Sequence, residues 1–157
     1  MDAHSSASSS PVELVPGAST LPTELVAAIE RSASVRDAQP GTVLVRQHEL
    51  VRDLVVLVVG RITTLVEFSG AGDLVVETSE QPGRIFGWSG LRPPQRATAT
   101  VRVDGPSRVM TLPIDELISD RPRWAAAVCE LVAAGLADRT REMATRWSAR
   151  DEDDRDA

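Results

Sequence analysis

The sequence of 157 residues has one cysteine, two histidines and no lysine. Cys129 has no partner for an internal disulfide, and its apolar surroundings in the sequence predict a small buried side chain. His4 and His48 lie far apart and have no cysteine or histidine neighbours. A metal site is therefore not expected, since such sites need several ligands together.

Long apolar segments are also missing. No run approaches the roughly 20 apolar residues that span a bilayer, so membrane insertion is not expected. The first residues lack the basic and apolar regions of a signal peptide, and a cytoplasmic location is the expectation. The net charge is −6 and all 17 basic residues are arginines, which argues against general nucleic-acid binding because that function needs a basic face. A net charge of −6 does not exclude the binding of one small anion at a local positive site.

Composition divides the chain into three parts. Residues 1–11 are rich in serine and alanine without apolar periodicity, so they are predicted to be a disordered arm. Residues 149–157 are mostly charged and are predicted to be an acidic disordered tail. The remaining residues, 12–148, are predicted to form one domain, which is long enough to bury a core.

Between residues 40 and 112 the apolar pattern is typical of short strands. Apolar side chains alternate in 43–45 and 62–68, whereas 53–59 is an apolar run suited to a strand buried on both faces. Gly60 separates two of these segments and is predicted to form a hairpin turn. Further strands are predicted at 74–76, 97–103 and 108–112.

Helical periodicity flanks the strands. Pro22 predicts the first turn of a helix with an apolar face on Leu25 and Ile29. After the strands, 114–119 fits a short helix and 122–147 a long one. The apolar stripe of the long helix consists of Val128, Val132, Leu136, Thr140, Met143 and Trp147. The predicted fold is mainly β with flanking helices: an antiparallel β-roll (double-stranded β-helix, jelly-roll-like) with an N-terminal helix and a long C-terminal helix.

The segment 81–98 places glycines, prolines and arginines between two predicted strands. Its glycines let backbone amides approach a ligand closely, and a short helical turn after Gly87 would direct free amides at an anion. Arg96 carries the forked donors that match phosphate oxygens. This loop is therefore the predicted binding site for a small anion.

Three motifs in this segment resemble the cyclic-nucleotide-binding domain family, which includes the sensor half of the catabolite activator proteins. The family has Pro-Gly, then Phe-Gly-Glu, then Pro-Arg-Ala-Ala-Thr or a close variant. This chain has Pro82-Gly83, Phe86-Gly87 and Gln95-Arg96-Ala97-Thr98 in the same order.

Two upstream features extend the resemblance to about residues 20–147. Pro40-Gly41-Thr42-Val43-Leu44 is similar to the turn before the family's first strand, and Gly60 to its hairpin glycine. The resemblance implies no cofactor, but a cyclic nucleotide or related anion as ligand. The implied ligand-binding residues are Phe86, Gly87, Trp88, Ser89, Gly90, Arg96, Ala97, Thr98 and Thr140.

Two positions depart from the family. Trp88 stands where the family has a glutamate that accepts the ribose 2′-hydroxyl, and an indole only donates. A buried hydroxyl without a partner costs about 1–3 kcal/mol, or roughly 5- to 150-fold in affinity. His48 stands where the family usually has a turn glycine. Because Arg96 is retained, either the loop binds a different anion with Trp88 stacking or closing over it, or the pocket is degenerate.

The resemblance implies a stand-alone regulatory or sensor module, not an enzyme, whose altered phosphate-binding loop binds a nucleotide-like anion. The alternative is a degenerate, non-binding β-roll that serves as a dimeric interaction scaffold or adaptor for a protein partner. In the family the last helix packs against its twin, which implies a homodimer through residues 122–147. Only about ten polar residues follow Trp147, so direct DNA binding through a helix-turn-helix is not expected. A cupin-like enzyme is disfavoured, because the strands offer mainly Val, Leu, Ile and Thr.

Overall fold

The structure, a computed structural model, describes residues 10–15, 17–118 and 122–153. The strands are β1 (Ser34–Ala38), β2 (Val43–Val45), β3 (Asp53–Val59), β4 (Ile62–Phe68), β5 (Gly72–Ser79), β6 (Ile85–Phe86), β7 (Thr100–Val103) and β8 (Ser107–Pro113). The helices are α1 (Thr23–Ser32), α2 (Ile114–Ile118) and α3 (Pro122–Asp153), with short 3-10 turns at Pro11–Leu14, Ala18–Thr20 and Trp88–Leu91.

The strands form two four-stranded antiparallel sheets. One sheet has the order β1-β8-β3-β6 and the other the order β2-β7-β4-β5. Consecutive strands β3 and β4 therefore belong to different sheets, as do β7 and β8, so the chain winds between the two layers. This arrangement, with α1 before the strands and α3 after them, confirms the predicted antiparallel β-roll.

The turn between β3 and β4 shows why a glycine is needed where the chain passes between sheets. Gly60 has a φ of 116°, and a Cβ atom built there would lie 2.1 Å from Ser107 Oγ and 2.6 Å from Ser107 Cα. Both the backbone conformation and the close approach exclude a side chain. The glycine is therefore required by geometry, but the predicted hairpin is wrong, because β3 and β4 do not pair with each other and the turn joins two sheets.

The core is built from both sheets and closed by the helices. Leu57 and Met110 come from one sheet, and Ile62 and Val103 from the other; all four are fully buried. α1 contributes one apolar face to the same cluster, as the hydrophobic period predicts. The buried helix residues are Leu25, Ala28 and Ile29 of α1, Ile114 and Leu117 of α2, and Trp124 and Val128 of α3.

The sequence pattern does not reveal β1 and β6. Four of the five residues of β1 are exposed, so its sequence lacks an apolar period, and β6 has only two residues. β7 begins at Thr100 rather than at residue 97, because Ala97 pairs with the turn around His48 instead of the sheet.

The domain boundaries at residues 11 and 148 remain predictions. A 3-10 turn begins at Pro11, and α3 continues to Asp153. The rest of the predicted arm and tail, residues 1–9 and 154–157, lies outside the described residues. Within the described part of the chain, no helix is long and apolar enough to cross a bilayer.

Candidate functional site

A cavity of about 570 Å³ lies between the loop 86–92, one face of the β2-β7-β4-β5 sheet, and α3. This volume is within the range of small-molecule sites. The sheet contributes Val45, Thr64 and Val101 to its lining. From α3 the lining residues are Cys129, Val132, Ala133, Leu136 and Arg139. Because the loop and α3 both face this space, a bound molecule would contact both.

Glycines give the loop its shape. Gly87 has a φ of 90° and precedes the 3-10 turn Trp88–Leu91, in which the Gly90 amide donates to the Gly87 carbonyl at 3.0 Å. A Cβ atom at Gly90 would lie 2.3 Å from Ile114 Cδ1, so this glycine is required for packing on α2. The turn holds Trp88 half-buried against the core and at the cavity wall.

A cluster of four charged side chains joins the sheet to α3. Glu77 of β5 is buried, with a side chain only 3% exposed, and it pairs with both Arg84 and Arg139. Arg84 Nε donates to Glu77 Oε1 at 2.7 Å, and its Nη2 donates to Glu142 Oε2 at 3.2 Å. Two cations and two carboxylates make the cluster neutral as a whole. Since Arg139 and Glu142 belong to α3, these pairs fix the helix on the roll.

Arg139 is the member of the cluster that also lines the cavity. Its guanidinium carbon lies 5.7 Å from the centroid of the Phe86 ring, a cation–π distance. Burial lowers the pKa of Arg139 below its ordinary value, and the neighbouring Glu77 carboxylate partly offsets this effect. Arg139 is therefore a cation held in place by a buried anion.

The model of the cyclic nucleotide-binding domain matches residues 35–119, more than half of the chain. The chain belongs to this family. The match spans β1 to α2 and includes the loop at the cavity. A regulatory sensor fold is thus assigned to the chain, and the resemblance found in its motifs is confirmed. A search of curated proteins finds no relative that matches.

Solved structures support the family fold at low sequence identity. A putative cyclic nucleotide-binding protein from Geobacter metallireducens GS-15 has a TM-score of 0.67 and 23% identity, covering 78% of this chain and 89% of that one. The catabolite activator protein of Thermus thermophilus has a TM-score of 0.61 and 20% identity, covering 82% and 60%. The regulatory domain of Toxoplasma gondii PKA, a co-crystal with cAMP, has a TM-score of 0.61 and 15% identity, covering 74% and 44%.

The structure brings together five of the nine residues that the family resemblance implies. The cavity lining includes Phe86, Gly87, Trp88, Ser89 and Thr98. The other four, which are Gly90, Arg96, Ala97 and Thr140, are not part of this lining. Thr140 is exposed on α3, and its hydroxyl donates to the Leu136 carbonyl at 2.9 Å within the helix.

Arg96, the phosphate partner in family members, is engaged elsewhere in this chain. It is exposed, and its Nη1 donates to the His48 carbonyl at 2.8 Å. His48 has a φ of 69°, the conformation that explains why the family usually has glycine at this turn. The backbone at Arg96 forms a β-bridge with Leu50, and the following Ala97 is buried. The phosphate role of Arg96 therefore stays a prediction.

The lining residues that the sequence does not assign to the site include the charged or reactive side chains of Arg92, Arg139 and Cys129. Cys129 was expected to be buried, and this is wrong: the thiol is exposed. The neighbouring Val128 faces the core, and a helix turns about 100° per residue, which brings Cys129 round to the cavity. For Arg139 the one available signal is the carboxylate of Glu77, which directly follows the predicted strand 74–76 and needs a cation if it is buried, but this signal does not identify the cation. Among the described residues, no group of three or more His, Cys, Asp or Glu is arranged to hold a metal ion.

Proposed function

We propose that this chain is a cytoplasmic regulatory module without catalytic activity, in which a small ligand binds in the cavity and changes the position of α3. The observation that carries the proposal is the shared wall: the loop 86–92 and α3 line the same space. A ligand that contacts both has different affinities for the states in which α3 is close and displaced. Such a difference is what a ligand-driven switch requires.

The ligand that we propose is a nucleotide-like anion. Family membership supports this choice, as does the cAMP bound to the structurally similar domain from Toxoplasma gondii. Two guanidinium groups in the lining, those of Arg92 and Arg139, favour negative charge. Cyclic mononucleotides and dinucleotides are therefore the first compounds to test.

The single thiol makes binding directly measurable, because Cys129 is exposed at the cavity. We expect a bound ligand to slow alkylation of Cys129 by iodoacetamide and to raise the melting temperature. At a hundred times its Kd, a ligand stabilises the folded state by about 2.7 kcal/mol. Isothermal titration calorimetry then gives the affinity of each compound that protects the thiol.

A matched pair of tryptophan substitutions shows whether the cavity is the binding site. Ala133 and Ala137 are both exposed on α3, but only Ala133 lines the cavity. Ala133→Trp fills the space and is expected to abolish binding, whereas Ala137→Trp is expected to bind as the wild type does. Equal affinities in the two variants, or no ligand among the compounds tested, would overturn the proposal.

The second candidate is a dimeric scaffold that binds no small molecule. It is favoured by the position of Arg96 outside the cavity and by the ion cluster that fixes α3 on the roll. Leu136 is 41% exposed on α3 and suits a helix–helix contact. If α3 forms the dimer, Leu136→Glu should convert it to a monomer in light scattering, while Ala126→Glu on another face should not. A wild-type monomer would contradict this candidate.

A further inference from the structure

The charged side chains that line the cavity all carry positive charge. Its lining contains two arginines, Arg92 and Arg139, and among the described lining residues there is no carboxylate. The rest of the wall is largely apolar, with Phe86, Trp88, Leu91 and Leu136 as the largest such side chains. A molecule that fits this wall has an apolar body and a negative group.

The two arginines differ in their availability. Arg139 is already paired with the buried Glu77, so an anion that binds it must compete with that pair. Arg92 is exposed at the end of the 3-10 turn, and its guanidinium has no hydrogen-bond or ion-pair partner within the described part of the chain. Arg92 can therefore bind an anion without breaking an existing side-chain interaction.

The apolar wall restricts the rest of the ligand. Trp88 provides a flat surface for stacking, and its indole nitrogen only donates hydrogen bonds. The hydroxyls of a sugar would need acceptors, and the described lining has none stronger than backbone carbonyls and the hydroxyls of Thr64, Ser89 and Thr98. Each buried hydroxyl left unpaired lowers affinity by roughly 5- to 150-fold. A flat apolar body without such hydroxyls avoids this loss.

We infer that the cavity selects an amphipathic organic anion, a flat apolar body carrying one carboxylate or phosphate, and that Arg92 rather than Arg96 is its charge partner. The inference rests on the proposed function, because it requires that the cavity is a ligand site. It narrows the proposed class of nucleotide-like anions to those without sugar hydroxyls: an aryl phosphate or aryl carboxylate is expected to bind more tightly than a cyclic nucleotide.

The experiment compares four probes: 1-naphthoate, 1-naphthyl phosphate, neutral 1-naphthol and cyclic AMP. Calorimetry and protection of Cys129 from alkylation are measured on the full chain. We expect the two naphthyl anions to bind roughly tenfold more tightly than 1-naphthol. One charge-assisted hydrogen bond to an exposed arginine contributes a free energy at the low end of the range for such bonds. Arg92→Gln should remove this difference and leave the affinity for 1-naphthol unchanged.

Two control variants make the result specific. Arg36→Gln changes the net charge equally at an exposed position on β1 and should preserve the preference for anions. Arg96→Gln should preserve it too. The inference is overturned if Arg96→Gln removes the preference while Arg92→Gln does not, or if 1-naphthol binds as well as the anions. In either case the cavity remains a ligand site, whereas failure of every probe to bind or to protect Cys129 counts against the proposed function itself.

Discussion

Replacing Glu77 by glutamine should destabilise the protein strongly. The Glu77 side chain is 3% exposed and balances two guanidiniums, those of Arg84 and Arg139, whose side chains are 10% and 18% exposed. Glutamine has nearly the same shape but no charge, so both arginines lose their buried counter-ion. Breaking a buried pair in this way costs about 3–5 kcal/mol. We expect the lower end, about 3 kcal/mol, since Arg84 keeps its contact with Glu142.

Thermal unfolding followed by circular dichroism measures this effect. For a chain of this length, about 3 kcal/mol corresponds to a fall in Tm of roughly 10 °C. The matched control is Glu80→Gln, which removes the same charge from an exposed pair with Arg61, at side-chain exposures of 62% and 56%. That change should cost no more than about 1 kcal/mol, because exposed pairs are weak.

A double substitution tests whether Arg139 is the partner that matters. In Glu77→Gln with Arg139→Gln, the stranded cation is also removed, so the double variant should lose less than the sum of the two single losses. The expected coupling is about 1–3 kcal/mol. Hydrogen exchange of the α3 amides should rise in Glu77→Gln, because the helix loses a tether. Equal stabilities of the Glu77→Gln and Glu80→Gln variants would refute the reasoning.

Three further substitutions probe the turn, the cavity wall and the loop. Gly60→Ala should lower the free energy of unfolding by about 3 kcal/mol in chemical denaturation, because the new Cβ meets Ser107. Gly70→Ala should lower it by about 1 kcal/mol, because Gly70 has a φ of 81° but no atom within 4 Å of the new Cβ. Similar losses in the two variants would contradict this prediction. Thr64→Val should stabilise the fold by about 1 kcal/mol in the same assay, because the buried Thr64 Oγ1 has no hydrogen-bond partner in the described structure. A loss of stability would show that the Thr64 hydroxyl has a hydrogen-bond partner. Trp88→Glu restores the acceptor of the family and should raise the calorimetric affinity for cyclic AMP, whereas Trp88→Leu, which has no acceptor, should not. No gain in Trp88→Glu would mean that the ribose does not reach this position.

The fold could be predicted because its signals are local. The apolar run at 53–59 is β3 with the predicted bounds, and Gly60 is the turn that follows it. The period of α3 places Val128 correctly in the core. The strands that were missed had no such signal, since β1 is almost wholly exposed and therefore polar. The local period of apolar residues indicates which residues are buried, and it gives no signal for an element that lies on the surface.

The ion cluster could not be predicted, because its members meet only in the folded chain. Glu77 and Arg139 lie on β5 and α3, far apart in sequence, and their contact depends on how the helix crosses the sheet. The strand period places Glu77 and Ser79 on one face, and both are buried. This alternation predicts that the Glu77 carboxylate is buried, but it does not identify the cation that balances its charge.

The position of Arg96 shows that a motif in the sequence does not by itself place its side chain at the cavity. Residues 96 and 97 precede β7 and neither lines the cavity, whereas the next two residues, Thr98 and Ala99, do. The family's Ala-Thr pair occurs twice in this chain, at 97–98 and 99–100, and alignment on the second puts Ala97 where the family has its arginine. The structure shows Ala97 buried and the guanidinium of Arg96 bonded to the His48 carbonyl outside the cavity. A gain of cyclic AMP affinity in Thr98→Arg, which adds a guanidinium at a position on the cavity lining, without a gain in Ala71→Arg on a distant turn, would establish that the position of the arginine limits binding. No gain in either variant would contradict this.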